Sequence, residues 1–514
     1  MSEKNVRVKK VYLNTTVVLI TTLLQIFMGF AIRKLFIATL GIAYLGYNSV
    51  FNNILSMLNL ADLGIGVAIT SFLYKPLVEN DKDRIKALMY IYKRIYQIIG
   101  GFVLVFGLVL SCFLSYLIPD ATCSLMYLRI LFFINLAGTV SSYFLAYKRT
   151  LLIADEKTYE TSVVDTAIYF ITSVAQILVL FFLRSYVIYL IVMVMKNVVS
   201  NIILSLRCDH YYRYLKEGIS TDIVNEYKLP IIKYVKDLFV SRLGSYVFYS
   251  TDNIIISVFK GSLMAGYLAN YTLITTQVQS LITSILSSVQ ATLGQYINSD
   301  ASMEMKKRVI DSYLFVDFYI GNFCFLCITF LAGPFVALVF GKQYELTFST
   351  SLWLGINLML TIMIQLPSQV FIIYKLFHYD RPIIMISATL NIVISAALVQ
   401  KVGIDGVLIG TFITSLIYLF SRLFIICRKV FNTNVWRDYC KVLSYFLSSI
   451  ITAFAIKYVL LILPEKSAFI SFVIRMIIVG IMALILPAIL NIYRKELHFF
   501  VEKFGSVLIK RKLN

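Results

Sequence analysis

Residues 469–492 read FISFVIRMIIVGIMALILPAILNI, a run whose one charge is Arg475. A helix crosses the hydrocarbon core of a bilayer with about 20 mostly apolar residues, so this run reads as a transmembrane span. Working back from it, thirteen more runs have the same character: 11–32, 47–74, 97–118, 125–147, 160–183, 186–206, 238–259, 266–297, 310–331, 347–373, 383–400, 405–427 and 441–463. The whole chain agrees with them. Of its 514 residues 59% are apolar and 14% charged, and its mean hydropathy is +0.82. Soluble domains carry about a quarter charged residues. A chain this apolar has too little polar surface to cover itself in water. Composition therefore excludes a soluble enzyme, a disordered protein and a disulfide scaffold. Long unbroken runs, in place of alternating ten-residue strands, exclude an outer-membrane barrel. The expected fold is an all-α polytopic membrane protein with about fourteen transmembrane helices.

The formal charge of +20 has a topological reading. Fourteen spans put both ends of the chain on one side. That side collects 34 of the 47 Lys and Arg residues, against 8 on the other, with the rest inside spans. The positive-inside rule then places both termini in the cytoplasm. No soluble basic domain gathers the charge, so nucleic acid is not an expected partner. Seven cysteines are uninformative; Cys324 and Cys327 lie in an apolar run and read as packed helix residues.

Shifting the sequence on itself by 220 residues superposes Gly41 on Gly261, Gly46 on Gly266, Tyr47 on Tyr267, Lys86 on Lys306 and Gly101 on Gly321. Tyr147-Lys148 with Asp155 likewise resembles Tyr374-Lys375 with Asp380. Matches at equivalent topological positions point to two six-span units in the same orientation. The expected organisation is a first six-helix lobe over 1–206 and a cytoplasmic linker over 207–237, with an interfacial helix at Pro230–Lys236. A second six-helix lobe follows over 238–427, then an extra helix pair and basic tail over 428–514.

Polar residues inside a membrane are costly and usually face a cavity or a partner. At about 100° per residue, four spans carry a polar stripe. The first aligns Asn14, Thr21 and Gln25, with Arg33 and Lys34 near its outer end. The second aligns Asn48, Asn52, Asn59 and Asp62, and the seventh Arg242, Tyr246, Tyr249 and Asn253 beside Asp252. The eighth aligns Asn270, Gln277, Ser284, Ser288 and Gln295. These residues are candidates to line a hydrated substrate cavity, against the alternative that they join helices to one another. Arg33, Lys34 and Arg242 can bind anionic oxygens or snorkel to headgroups. Lys196, Arg422, Lys457 and Arg475 read as snorkelling or internally paired. Asp62 and Asp252 can pair with a base, bind a cation or carry a proton. Spans five, eleven and fourteen, more uniformly apolar, read as lipid-facing, and Pro367 between Gln365 and Ser368 reads as a hinge.

The loop Ala38-Thr39-Leu40-Gly41-Ile42-Ala43-Tyr44-Leu45-Gly46-Tyr47-Asn48-Ser49, the stretch Leu60-Ala61-Asp62-Leu63-Gly64-Ile65-Gly66, and Thr251-Asp252-Asn253-Ile254-Ile255-Ile256-Ser257 with Gly261 and Ala265-Gly266-Tyr267 resemble bacterial polysaccharide-repeat-unit flippases of the Wzx-like kind. Their superfamily also holds lipid II flippases and multidrug extruders of the MATE type. The resemblance implies two six-helix lobes that alternate between inward- and outward-facing states. It implies a cargo of oligosaccharide on undecaprenyl diphosphate, turned from the cytoplasmic to the outer leaflet of the bacterial cytoplasmic membrane. A coupling H⁺ or Na⁺ and polymerase or export partners go with it, and no cofactor or resident metal. Lipid II flippases carry several cavity arginines, whereas here the second and eighth spans have none. A drug–cation antiporter is the alternative reading. An enzyme is not expected: His210, His378 and His498 all fall at the cytoplasmic edge, and no nucleophile–base pair or metal triad is visible.

Overall fold

The structure is a computed structural model that describes residues 24–58, 65–155, 157–219, 221–232, 251–297, 302–374, 376–462 and 467–496. Among them there is no strand. Ten helices are long and apolar enough to cross a membrane, and they fall on the third to sixth and ninth to fourteenth expected spans. The protein is thus an all-α polytopic membrane protein. The described residues divide into two compact units, the first ending at Tyr246 and taking in Gly261–Gly266, the second comprising Val247–Lys260 and everything from Tyr267 onward.

In the first unit, α1 covers 24–40. It is followed by α2 (Ile42–Leu58), α3 (Ile65–Glu79), α4 (Lys82–Ser111), the single turn α5 (Leu114–Leu117), α6 (Leu125–Leu145) and α7 (Tyr147–Ala154). Next come α8 (Thr158–Leu178), which ends in a π turn, and α9 (Tyr186–Tyr211); α10 covers 221–232. Helix α6 packs between α4 and α9, and α8 lies along α9. Caps set the starts: Asp81 accepts from the Arg84 amide at 3.0 Å and Ser124 from the Tyr127 amide at 3.3 Å.

The second unit contains α11 (Asp252–Lys260), α12 (Ser262–Ile297) from Tyr267 onward, α13 (Met303–Val339), α14 (Phe348–Ile373), α15 (Phe377–Val402), α16 (Ile404–Ile425), α17 (Val435–Ile462) and α18 (Ala468–Leu490). Its core is built on the pairs α13 with α14 and α15 with α16. Phe318 stacks on Tyr445 at 4.4 Å between ring centres, fixing α17 against α13.

The 220-residue repeat has a backbone counterpart. Gly41 separates α1 from α2 with φ 91°, and Gly261 separates α11 from α12 with φ 89°. Only glycine adopts this conformation without strain, so each equivalent pair of helices is joined by one left-handed residue.

Two expectations are corrected. The supposed loop at 38–49 is helical on both sides of Gly41, and Tyr47 is fully buried in α2. Helices α4 and α13 begin at Lys82 and Met303, well before the apolar runs at 97 and 310, because amphipathic charged segments continue them beyond the apolar core. Residues 221–232 are helical, which takes in Pro230–Ile232 of the expected interfacial helix, while Lys233–Lys236 lie outside the described residues. At the expected hinge α14 is continuous through Pro367, which is buried, and the Ser368 hydroxyl donates to the Ile364 carbonyl at 2.7 Å.

Candidate functional site

Of the candidate cavity residues, Asn14, Asn59, Asp62, Arg242, Tyr246 and Tyr249 lie outside the described residues, as does the side chain of Ser284 on α12. The others are taken unit by unit.

In the first unit Arg33 and Lys34 part company. Lys34 is exposed, while Arg33 is half-buried and its Nη1 is shut off from solvent with no protein partner among the described residues. Tyr189 lies within electrostatic reach of its guanidinium. The neighbouring wall is aromatic: Phe36 meets Tyr189 at 4.9 Å and Tyr186 at 5.6 Å, and Tyr186 meets Tyr44 at 4.8 Å. A guanidinium beside such a wall, with no carboxylate ion-paired to it among the described residues, has the chemistry to accept an anionic oxygen as partner. On α2, Asn48 is half-buried with its Oδ1 lacking a partner among the described residues, and Asn52 is exposed. Gln25 is half-buried, and its main-chain carbonyl accepts from the Tyr169 hydroxyl at 2.9 Å.

In the second unit the structure gathers a polar cluster from three helices. Thr411 on α16 is its hub. Its hydroxyl donates to the Asp252 carboxylate, 3.3 Å from each oxygen, and accepts from Asn391 Nδ2 at 3.1 Å. Asn391 Nδ2 also donates to Thr414 at 3.3 Å, and Thr251 donates to Asn391 Oδ1 at 3.4 Å. One turn along α15, the Ser395 hydroxyl donates to the Val407 carbonyl at 3.4 Å. No Lys or Arg ion-pairs with Asp252 among the described residues. A membrane carboxylate hydrogen-bonded to a threonine hydroxyl, with no basic partner among the described residues, can hold a proton or a hard monovalent cation. Among the described residues no cluster of His, Cys, Asp and Glu suits a transition metal.

The sequence reading missed Asn391, Ser395 and Thr411. It placed the eleventh span against lipid, but Ser387, Asn391 and Ser395 are buried on one face of α15. The signal was present as spacing: positions four apart share a helix face. Asn253 and Asn270 are buried with amide atoms that have no partner among the described residues, and Gln277 is half-buried. Such groups call for water or a ligand.

The other membrane cations behave differently from one another. Arg422 is buried and ion-paired with Asp380. Lys196 sits 5.7 Å from the Tyr169 ring centre and Lys457 5.6 Å from that of Phe348.

No family profile matches the chain, and no curated protein does. Solved structures do. A lipid II flippase, MurJ, in an inward closed conformation superposes with a TM-score of 0.70 at 15% identity, over 92% of this chain and 98% of that one. An inward-facing multidrug resistance MATE family transporter of the MOP superfamily gives 0.63 at 15% identity, over 78% and 94%. A MATE structure in the bent conformation gives 0.51 at 15% identity, over 78% and 93%. The chain is similar to these proteins in fold.

Proposed function

We propose that the protein is a flippase that moves a lipid-linked oligosaccharide, carried on undecaprenyl diphosphate, from the cytoplasmic to the outer leaflet by alternating access, for export of a surface polysaccharide. Both termini face the cytoplasm of a bacterial cell in this reading. The lobes, linker and terminal pair follow the division at 206, 237 and 427. The observation that carries the reading is Arg33, whose Nη1 is buried without a partner beside an aromatic wall. A buried polar group left unpaired costs about 1–3 kcal/mol. A diphosphate offers that guanidinium charged oxygens, and the tyrosines offer rings and hydroxyls for sugars. In the same unit the amide of Asn48, its Oδ1 without a partner among the described residues, extends that chemistry. The Asp252–Thr411–Asn391 cluster is the proposed site of a coupling H⁺ or Na⁺.

The test is Arg33→Ala at unchanged membrane abundance, read as lipid-linked glycan accessible on each leaflet of intact cells. The expected result is glycan stranded on the cytoplasmic leaflet, with partial recovery in Arg33→Lys. Normal export by Arg33→Ala would remove the assignment. Drug–cation antiport is the second reading, favoured by the unpaired Asp252 carboxylate. It predicts the opposite phenotype: lost drug efflux with glycan export untouched.

A further inference from the structure

In the first unit α4 and α10 enclose a groove of about 630 Å³. Ile91, Ile95 and Ile98 of α4 and Val224 and Ile232 of α10 form its apolar walls. Each helix adds one cation, Arg94 from α4 and Lys228 from α10, and no acid lines the groove among the described residues. Both cations are exposed, and neither is ion-paired among those residues. Arg94 is positioned by Tyr90: its Nε donates to the Tyr90 hydroxyl at 3.3 Å, and its guanidinium lies 5.4 Å from that ring centre. Helix α10 is held in place by Ile231, which is fully buried, and by Tyr227, whose ring meets Phe72 of α3 at 6.3 Å.

The groove runs straight into a lipid-facing surface. Arg94 is the last charge of α4, which continues to Ser111 without another. Ile98, Phe102, Val105, Phe106 and Val109 follow it at spacings of three or four, so they share its helix face. All five are 46–72% exposed. An open apolar stripe along a membrane-spanning helix lies against acyl chains. From Ile98 to Val109 it is about 16 Å long at 1.5 Å per residue. That is half of a hydrocarbon core of about 30 Å, the depth taken by the chains of one leaflet.

We propose that this groove binds the headgroup of an anionic phospholipid, with an acyl chain laid along the α4 stripe. Arg94 and Lys228 take the phosphate, and the exposed side chains of Thr221 and Asn225 meet the rest of the headgroup. A basic pocket between an interfacial helix and a span attracts anionic lipid. Two cations with no acid beside them favour a headgroup of net negative charge over a zwitterionic one. A free anion makes no use of the stripe, and a polyprenyl chain overruns it. In the orientation proposed above the lipid belongs to the cytoplasmic leaflet, and it fastens α10 to α4. The site uses none of the residues assigned to the cargo or the coupling ion, and it is independent of which cargo is moved.

The test uses the full chain in vesicles of dioleoylphosphatidylcholine containing a little phosphatidylglycerol with a photoreactive acyl chain. Adducts are mapped to peptides by mass spectrometry. In the wild type, labelling of residues 98–109 should exceed that from a phosphatidylcholine with the same chain by about tenfold or more. Arg94→Gln/Lys228→Gln should erase this preference, and Arg94→Lys/Lys228→Arg should keep it. If the first double variant does not fold, the comparison of the two lipids on the wild type decides. Equal labelling by both lipids overturns the proposal, because the stripe then merely faces the bilayer. An undiminished preference in the folded Gln variant overturns it too. Farnesyl diphosphate at equal mole fraction and millimolar inorganic phosphate should each leave the labelling in place. Displacement by the first would assign the groove to a prenyl diphosphate and by the second to a small anion, and either result overturns the proposal.

Discussion

Arg422 grips Asp380 with two prongs, Nε to Oδ1 at 2.8 Å and Nη2 to Oδ2 at 2.6 Å, and both side chains are almost fully buried. Its remaining arm reaches the Ser368 hydroxyl, and its plane lies 4.1 Å from the Tyr418 ring centre. The pair ties α14, α15 and α16 together. Breaking one partner strands the other, at a cost of about 3–5 kcal/mol, whereas replacing both by apolar groups is often nearly neutral. Arg422→Met should therefore lower the thermal unfolding midpoint sharply in detergent. Arg422→Met/Asp380→Leu should recover most of the loss. If the double variant is no better than the single, the pair does more than satisfy itself.

Gly41 and Gly261 share a conformation and differ in surroundings. An added Cβ at Gly41 meets nothing within 4 Å, whereas at Gly261 it would sit 2.6 Å from the Asp120 carboxylate. That carboxylate accepts from the Ser262 amide at 2.8 Å. Gly41→Ala should cost about 1–2 kcal/mol from the left-handed backbone alone, and Gly261→Ala more. Unfolding of the two variants side by side checks the order.

Asp252→Asn keeps the shape of the cluster around Thr411 and removes its charge. In proteoliposomes under an imposed H⁺ or Na⁺ gradient, the variant should lose gradient-driven transport by about tenfold or more while still folding. Gradient dependence equal to wild type would place the coupling group elsewhere.

Glu496 offers a pH readout outside the spans. Burial works to raise its carboxyl, but the hydrogen bond from Lys441 at 2.9 Å, its own backbone amide and nearby Arg494 outweigh burial and hold it below the ordinary 4.5. A carboxyl lowered in the folded state adds stability that is complete above 4.5 and is lost as pH falls through the folded value. Glu496→Gln should thus be less stable than wild type at neutral pH, and the gap should close in acid. A gap independent of pH would assign the effect to packing.

The apolar spans were legible because a 20-residue hydrophobic run has few other fates in a chain this long. What escaped was local and polar. The charged starts of α4 and α13 fail any test of apolarity although they are helical, since amphipathic segments also form helices. Asn391 and Thr411 were diluted by their neighbours: one amide or hydroxyl barely alters an apolar window, and only four-residue spacing together with the packing of α15 on α16 reveals the cluster. Arg33 was visible as a charge, but its burial against aromatics depends on α9, more than 150 positions later. Tyr47 was misplaced because Gly41 and Gly46 suggest a turn, whereas one left-handed residue is enough to redirect the chain.

Helix α18 sinks little of its surface into the protein; only Val479, Ala483 and Pro487 along it are buried. Its polar ties to the rest of the second unit are few: the Leu484 carbonyl accepts from the Tyr319 hydroxyl of α13, and just past its end Arg494 donates to the Ser444 hydroxyl of α17. A helix held by so few buried residues answers to the thickness of the surrounding bilayer through its inclination. Thinner or thicker membranes will tilt α18 before they disturb the packed helices behind it, making this edge of the molecule a gauge of the lipid in which it sits.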